Sequence, residues 1–353
     1  MMKSKIRFVL LAVLMALMVI APATTVSRAQ DSSMCLPGMD ADTCALFTAA
    51  LANSATLTKF NMDYDVAMKT VGTTSDIDLT VKGSGPIDVS GLATAAMSGG
   101  TSDPSALLNG LVMQQAIDAS MTSAGSTIAG KFEFRIVEGV LYYNGDLATQ
   151  GKWMKLDLMK ALASASAQLG QMQSQMAGAS NGAMSAAMSP ELAKLFADPT
   201  KFFSTEVTDG PEVDGVATQE VKLNVNVQAL VETIFSPEAR PLLIEIMKAQ
   251  GQEVTPDLEK QLDQMTMVLR AIAPTLEATK LSVSWLIDPE AKQFRGFGIN
   301  FNTVVDKSTA ALMQATSEIT VDFSFLVKLS AIGEDVTVEP VSDAVDASAG
   351  MSN

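Results

Sequence analysis

The chain has 353 residues, 48% hydrophobic and 18% charged, with 24 basic against 39 acidic side chains. Four of the basic residues and none of the acidic ones precede Gln30, which leaves −19 on the chain from Gln30 onward; nucleic acid and anionic membrane surfaces are disfavoured as partners, because phosphate recognition needs a basic patch. The absence of histidine excludes Ser-His-Asp and Cys-His catalysis and removes the commonest transition-metal ligand.

Lys3, Lys5 and Arg7 precede an apolar run from Phe8 to Ile20, and Ser27-Arg28-Ala29 follows with small residues on both sides of the arginine. This is the pattern of a secretory signal peptide over residues 1–29, cleaved after Ala29, and it predicts export to a periplasm, cell wall or medium. An uncleaved anchor is the alternative, although the apolar run falls short of the roughly 20 residues of a spanning helix. A lipid anchor would need a cysteine after a Leu-x-Ala/Gly step, whereas Cys35 follows Ser32-Ser33-Met34. The protein is therefore expected to be peripheral to a membrane at most.

Residues 30–56 form an N-terminal segment containing the chain's two cysteines, Cys35 and Cys44, with Pro37-Gly38 between them. In an exported chain this spacing reads as a local disulfide, with two free thiols as the alternative. From Phe60 the apolar residues alternate: Phe60, Met62, Tyr64, Val66 and Met68 on one face, Asn61, Asp63, Asp65 and Lys69 on the other. Ile77, Leu79 and Val81 repeat the pattern after a turn at 71–74. Period two marks strands with one buried face.

Residues 91–105 are rich in Gly, Ser, Ala and Thr without period and read as a long loop. Strand patterns resume over 112–123 and 131–143, the latter around Glu138-Gly139, with a short strand within 151–158. From Met159 to Ala197 the Ala/Met/Gln/Ser composition favours helix. Ser189-Pro190-Glu191, Ser236-Pro237-Glu238 and Thr255-Pro256-Asp257 are helix starts, the second helix running to Gly251 and the third carrying the stripe Leu258, Leu262, Met265, Leu269, Ile272 and Leu276. Residues 281–287, 294–305 and 319–329 alternate again. The tail, 341–353, is small, acidic and aperiodic, and is expected to be disordered. Strands, then helices, then strands argue for an α+β fold on a mainly antiparallel sheet.

Paired carboxylates at Asp63/Asp65 and Asp76/Asp78 fall on the polar strand faces, where a solvated surface explains them. Asp40-Ala-Asp42 lacks the glycine and terminal acid of a calcium loop, and no phosphate-binding or dinucleotide motif occurs. No catalytic residue, metal ligand set or cofactor is expected. The 22 methionines are individually ordinary core residues, but in excess they suit an adaptable apolar surface.

Three segments carry a family resemblance: 134–144 followed by Gly151-Lys152-Trp153-Met154-Lys155-Leu156-Asp157; Val213-Asp214-Gly215-Val216-Ala217-Thr218 leading into a strand; and 281–290, a strand followed by Ile287-Asp288 and a turn. In this order they resemble the LolA-like superfamily, most closely its branch of mycobacterial lipoproteins LppX and LprG. The resemblance implies a curved antiparallel half-barrel over 57–340, with helices covering its concave face and an apolar cavity beneath them for a lipid or a lipidated protein. The chain departs from that branch in lacking a lipobox and in carrying insertions near 91–110 and 160–188. If such a cavity exists, its lining should come from the apolar strand faces, at Met62, Tyr64, Phe132, Phe134, Phe323 and Phe325, and from the helix stripe at Leu262, Met265 and Leu269. The alternative is a structural or interaction module of the envelope whose core is filled by side chains. Neither reading fixes the oligomeric state.

Overall fold

Alternation along the chain becomes twelve strands: β1 (Lys59–Val71), β2 (Ile77–Asp88), β3 (Val112–Ser123), β4 (Ser126–Val137), β5 (Val140–Gly145), β6 (Met154–Asp157), β7 (Phe203–Asp209), β8 (Gln219–Val225), β9 (Lys280–Asp288), β10 (Gln293–Val305), β11 (Ile319–Ser330) and β12 (Val345–Asp346). The computed structural model describes residues 35–54, 56–73, 76–97, 110–146, 149–161, 197–241, 244, 272–312 and 317–347. The expected signal peptide, the helix start at Ser189 and the start at Thr255 lie outside these residues.

All strands belong to one sheet in the order β12-β6-β5-β4-β3-β2-β1-β11-β10-β9-β8-β7. Every pairing is antiparallel except the short β12–β6 contact. The central β1 joins the two halves, pairing with β2 on one side and with β11 on the other, Met62 opposite Leu329 and Met68 opposite Phe323. The outermost strands, β12 and β7, do not pair with each other, so the curved sheet stays open as a half-barrel. The fold is α+β. At the β4–β5 turn Glu138 and Gly139 both take left-handed φ, 53° and 72°, the geometry that matches the twist of a two-residue hairpin.

The registers sort the side chains into two faces. Across β6 to β7, one face carries Leu156, Leu141, Ile136, Met113 and Ile87 in matched positions, then Phe60 and Met62 on β1 and Leu329 on β11, and Val327, Phe297, Trp285, Val221 and Val207 in a second matched row. The other carries Glu133, Asp118, Asp63, Lys328, Asn300 and Lys222. The main core lies on the apolar face around Met62, Ile87, Met113, Phe134, Ile136 and Val327.

Short helices flank the sheet, most of them on that apolar face. Helix α1 (Ala41–Ser54) buries Phe47 and Ala50 against Val221 and Ile287. Helix α2 (Ser90–Met97) seats Leu92 on the main core. Helix α3 (Val227–Ile234) is capped by Asn226, whose side-chain oxygen accepts from the amide of Ala229. Helix α4 (Ala273–Ala278) ends at Thr279, whose hydroxyl meets that of Thr303 on β10 at 2.7 Å. Helix α5 (Lys307–Leu312) buries Ala310 against Val305 and Ile319.

Three expectations change. The loop expected over 91–105 begins as α2, because the carboxylate of Asp88 accepts from the amide of Ser90 at 2.8 Å and Leu92 finds an apolar seat. Gly91 and Gly110 also pack backbone to backbone, where a Cβ on Gly91 would lie 2.3 Å from the Cα of Gly110. Beyond Ser236-Pro237-Glu238, regular helix starts only at Arg240, and α3 precedes it. The tail expected to be disordered from 341 is held through Ala347: Val336, Val338, Val341 and Ala344 pack on Val137 and Tyr142 on the polar face of β4 and β5, and the Val345 amide donates to the Trp153 carbonyl at 2.9 Å. Residues 348–353 lie outside the described set.

Candidate functional site

The apolar face is the feature with the largest extent. Its central strands hold a chain of aromatic rings. Phe47 on α1 meets Trp285 on β9 at 5.2 Å between ring centroids, Trp285 meets Phe297 on β10 at 6.0 Å, and Phe297 meets Phe325 on β11 at 6.5 Å. All three contacts are edge-on, the arrangement favoured by ring quadrupoles. Sheet register creates this ladder, since Phe297 lies opposite both Trp285 and Val327, with Phe325 one step along its strand.

Of the residues nominated as lining, Met62, Tyr64, Phe132, Phe134, Phe323 and Phe325 all project from this one face. Met62 and Phe134 are buried in the main core, whereas Tyr64, Phe132, Phe323 and Phe325 are half-buried. Leu262, Met265 and Leu269 lie outside the described residues. Toward the β2–β4 end the face opens to solvent at Met121 and Ile128, cross-strand partners that are 37% and 54% exposed.

Two polar groups sit within this apolar field. Burial pushes the Tyr64 hydroxyl up to about 12, because the phenolate would lose its hydration there. Its ring lies over Gly83, where an added Cβ would come within 2.2 Å of Cζ. Gln115 is wholly buried: its Nε2 donates to the Gly85 carbonyl at 2.9 Å, and its Oε1 has no partner among the described residues.

The N-terminal segment is fixed onto the same face. Cys35 and Cys44 form a disulfide with Cα atoms 5.1 Å apart, and the hydroxyl of Thr205 on β7 donates to the Pro37 carbonyl inside the closed loop. At the other end of α1, the Asn53 amide donates to the Lys292 carbonyl at 2.8 Å. That turn between β9 and β10 is held by Asp288, which accepts from the amides of Glu290 and Ala291 and from Arg295. Arg295 is the extra residue of a bulge between Phe294 and Gly296.

Sequence reasoning did not single out Phe47, Phe297 or Gln115. Phe297 was visible within the alternating 294–305 run. Phe47 sits on a helix read only as a disulfide-closed segment, and Gln115 carries no signal in a strand of small residues. On the opposite, polar face a hollow of about 630 Å³ lies over β7 to β11 and β1, a location that no sequence pattern announced. Among the described residues, no group of three His, Cys, Asp or Glu side chains could hold a metal ion, and no helix is long and apolar enough to cross a membrane.

No family model matches the chain, and no curated protein matches it. Among solved structures it is similar to LprF from Mycobacterium bovis, with 12% identity over 84% of this chain and 95% of that one, at a TM-score of 0.29. It is also similar to the Mycobacterium tuberculosis lipoprotein LppX, with 12% identity over 84% and 97%, at a TM-score of 0.25. Overlap at this level transfers no function.

Proposed function

We propose that this is an exported, non-catalytic protein that binds acyl chains, of a lipid or a lipidated partner, against the apolar face of its half-barrel. One observation carries the reading: from Met154 on β6 to Val207 on β7, the matched positions of that face hold no charged side chain except the exposed Asp209 at the end of the edge strand β7, while the other acidic residues of the same strands project from the other side. A face that only closes a core needs cover along its length. Here Tyr64, Val66, Met68, Phe301, Phe323 and Phe325 remain half-buried side by side. An acyl chain laid over them would gain about 0.8 kcal/mol per buried CH₂. The signal-like first 29 residues support a site of action in the envelope or outside it.

An envelope module with a filled core is the second reading, favoured by the tight burial of Met62, Phe134 and Ile136. Native mass spectrometry of the protein purified gently from its host, followed by organic extraction, separates the two. The carrier reading expects stoichiometric acyl species that are lost in Phe325→Asp and retained in Asp65→Asn on the polar face. A bare polypeptide mass with no uptake of a fluorescent fatty acid would overturn it.

A further inference from the structure

We propose that the polar face carries a second binding site, for the phosphorylated end of a sugar or polyol. Sheet register builds its floor: Ser324, Asn300, Ser282 and Asn224 stand in one row across β11, β10, β9 and β8, continued on β1 by Ala67. These short side chains leave the hollow of about 630 Å³, within the roughly 300–1,000 Å³ of small-molecule sites. Phe301 and Phe323 lend it only their backbone side, since their rings alternate to the apolar face, so an apolar guest finds little there.

The polar groups around the hollow are of two kinds. Lys69, Lys222 and Lys280 line it together with Glu206 and Asp322, a local excess of positive charge in a chain of net charge −15. Register sets Lys69 opposite Asp322 and Lys222 opposite Glu206, but none of the three lysines closes an ion pair among the described residues. Asp322, by contrast, already accepts from the Asn302 amide. Three ammonium groups against two carboxylates leave one net positive charge for a phosphate, to which lysine binds as a point charge. The floor's amides and hydroxyls both donate and accept, which is what adjacent sugar hydroxyls require. Neither half of the ligand alone uses both sets.

The test is an amide NMR titration of the full-length protein with glucose 6-phosphate, glucose and inorganic phosphate, repeated on the Lys69→Gln/Lys280→Gln variant and on Asn300→Leu. The sugar phosphate should shift Asn224, Ser282 and Asn300 saturably with a Kd of about 1 mM, on the order of −4 kcal/mol. Each half-ligand should bind more weakly. The lysine variant should lose at least tenfold in affinity with its melting temperature unchanged, and Asn300→Leu should weaken glucose 6-phosphate more than phosphate. Sedimentation with phosphatidylinositol vesicles, but not with phosphatidylcholine vesicles, would identify a lipid headgroup as the source; binding of glucose 6-phosphate without sedimentation would identify a soluble one. No saturable shift in that row, or an equal response in the lysine variant, overturns the site. Because glucose 6-phosphate has no acyl chain, this outcome is independent of the acyl-binding reading.

Discussion

Phe47 stands edge-on to Trp285, ring centroids 5.2 Å apart at 85°, and this contact fastens α1 to the sheet. Phe47 is also edge-on to Phe294 at 5.6 Å and is only 5% exposed. Phe47→Ala should cost about 3–5 kcal/mol, the range for a large aromatic truncated in a core, measured by urea unfolding. Trp285 is one of only two tryptophans, so its emission should shift to the red in the folded variant. Destabilisation without a spectral change would mean that α1 is held elsewhere.

The disulfide acts on the same helix from its other end. It closes a loop of separation 9 and so restricts the unfolded chain; loop entropy at that length amounts to about 2.5 kcal/mol. Replacing both cysteines by serine should lower unfolding stability by about that much. It should also raise amide exchange in 41–47 before it raises exchange in β1 or β11, whose pairing does not involve the loop.

The β9–β10 turn depends on a charge pair, Asp288 with Arg295 at 3.2 Å, with side chains only 6% and 13% exposed. Burial works against the ionised Asp288, yet the Ala291 amide, Arg295 and the Glu290 amide together hold its pKa below the ordinary carboxylate value. Asp306 is held down as well, by hydrogen bonds from the Ser308 and Thr309 side chains and from the Thr309 amide. A carboxylate with a depressed folded pKa contributes stability above its unfolded value, near 3.9, and loses it as pH falls toward the folded one. The urea midpoint should therefore drop as pH is lowered through about 4. Arg295→Met should cost about 3–5 kcal/mol at neutral pH by leaving Asp288 buried and unpaired, and adding Asp288→Asn should recover part of that loss.

Most of the sheet, though not its edge strands β7 and β12, was legible because one physical condition, a strand half in water and half out, writes itself as period two. Met62-Asp63-Tyr64-Asp65 and Phe323-Ser324-Phe325 announce both the strands and the facing of their side chains. Helix α1 was not legible in the same way. Asp40 looked like half of a carboxylate pair, but it is a cap whose Oδ1 accepts from the Thr43 amide at 2.7 Å. The C-terminal strap was hidden for a different reason. Val338 and Ala344 are too sparse to signal burial, and their seat is built by Val137 and Tyr142, some 200 residues earlier. Which strands adjoin also decides the polar hollow: Asn224, Ser282, Asn300 and Ser324 are unremarkable until β8 to β11 line them up.

Tyr64 offers the most direct probe of the apolar face. Its hydroxyl is pushed up to about 12 by burial, and burial raises Tyr143 as well. With three tyrosines in the chain, absorbance titration should contain a late component that disappears in Tyr64→Phe. Because the folded pKa is raised, the neutral hydroxyl's contribution to stability is complete below about 10, the unfolded value, and is lost between there and about 12. Gly83→Ala supplies the converse. The new Cβ would occupy space held by the Tyr64 ring, so the ring must swing aside into a wetter setting, and the late component should move down toward 10. An acyl chain laid across β1 should act in the opposite direction by excluding water from the ring, delaying the Tyr64 transition further as fatty acid is added. A titration indifferent to both the glycine substitution and the fatty acid would show that Tyr64 belongs to a sealed core, and would favour the filled module over the carrier.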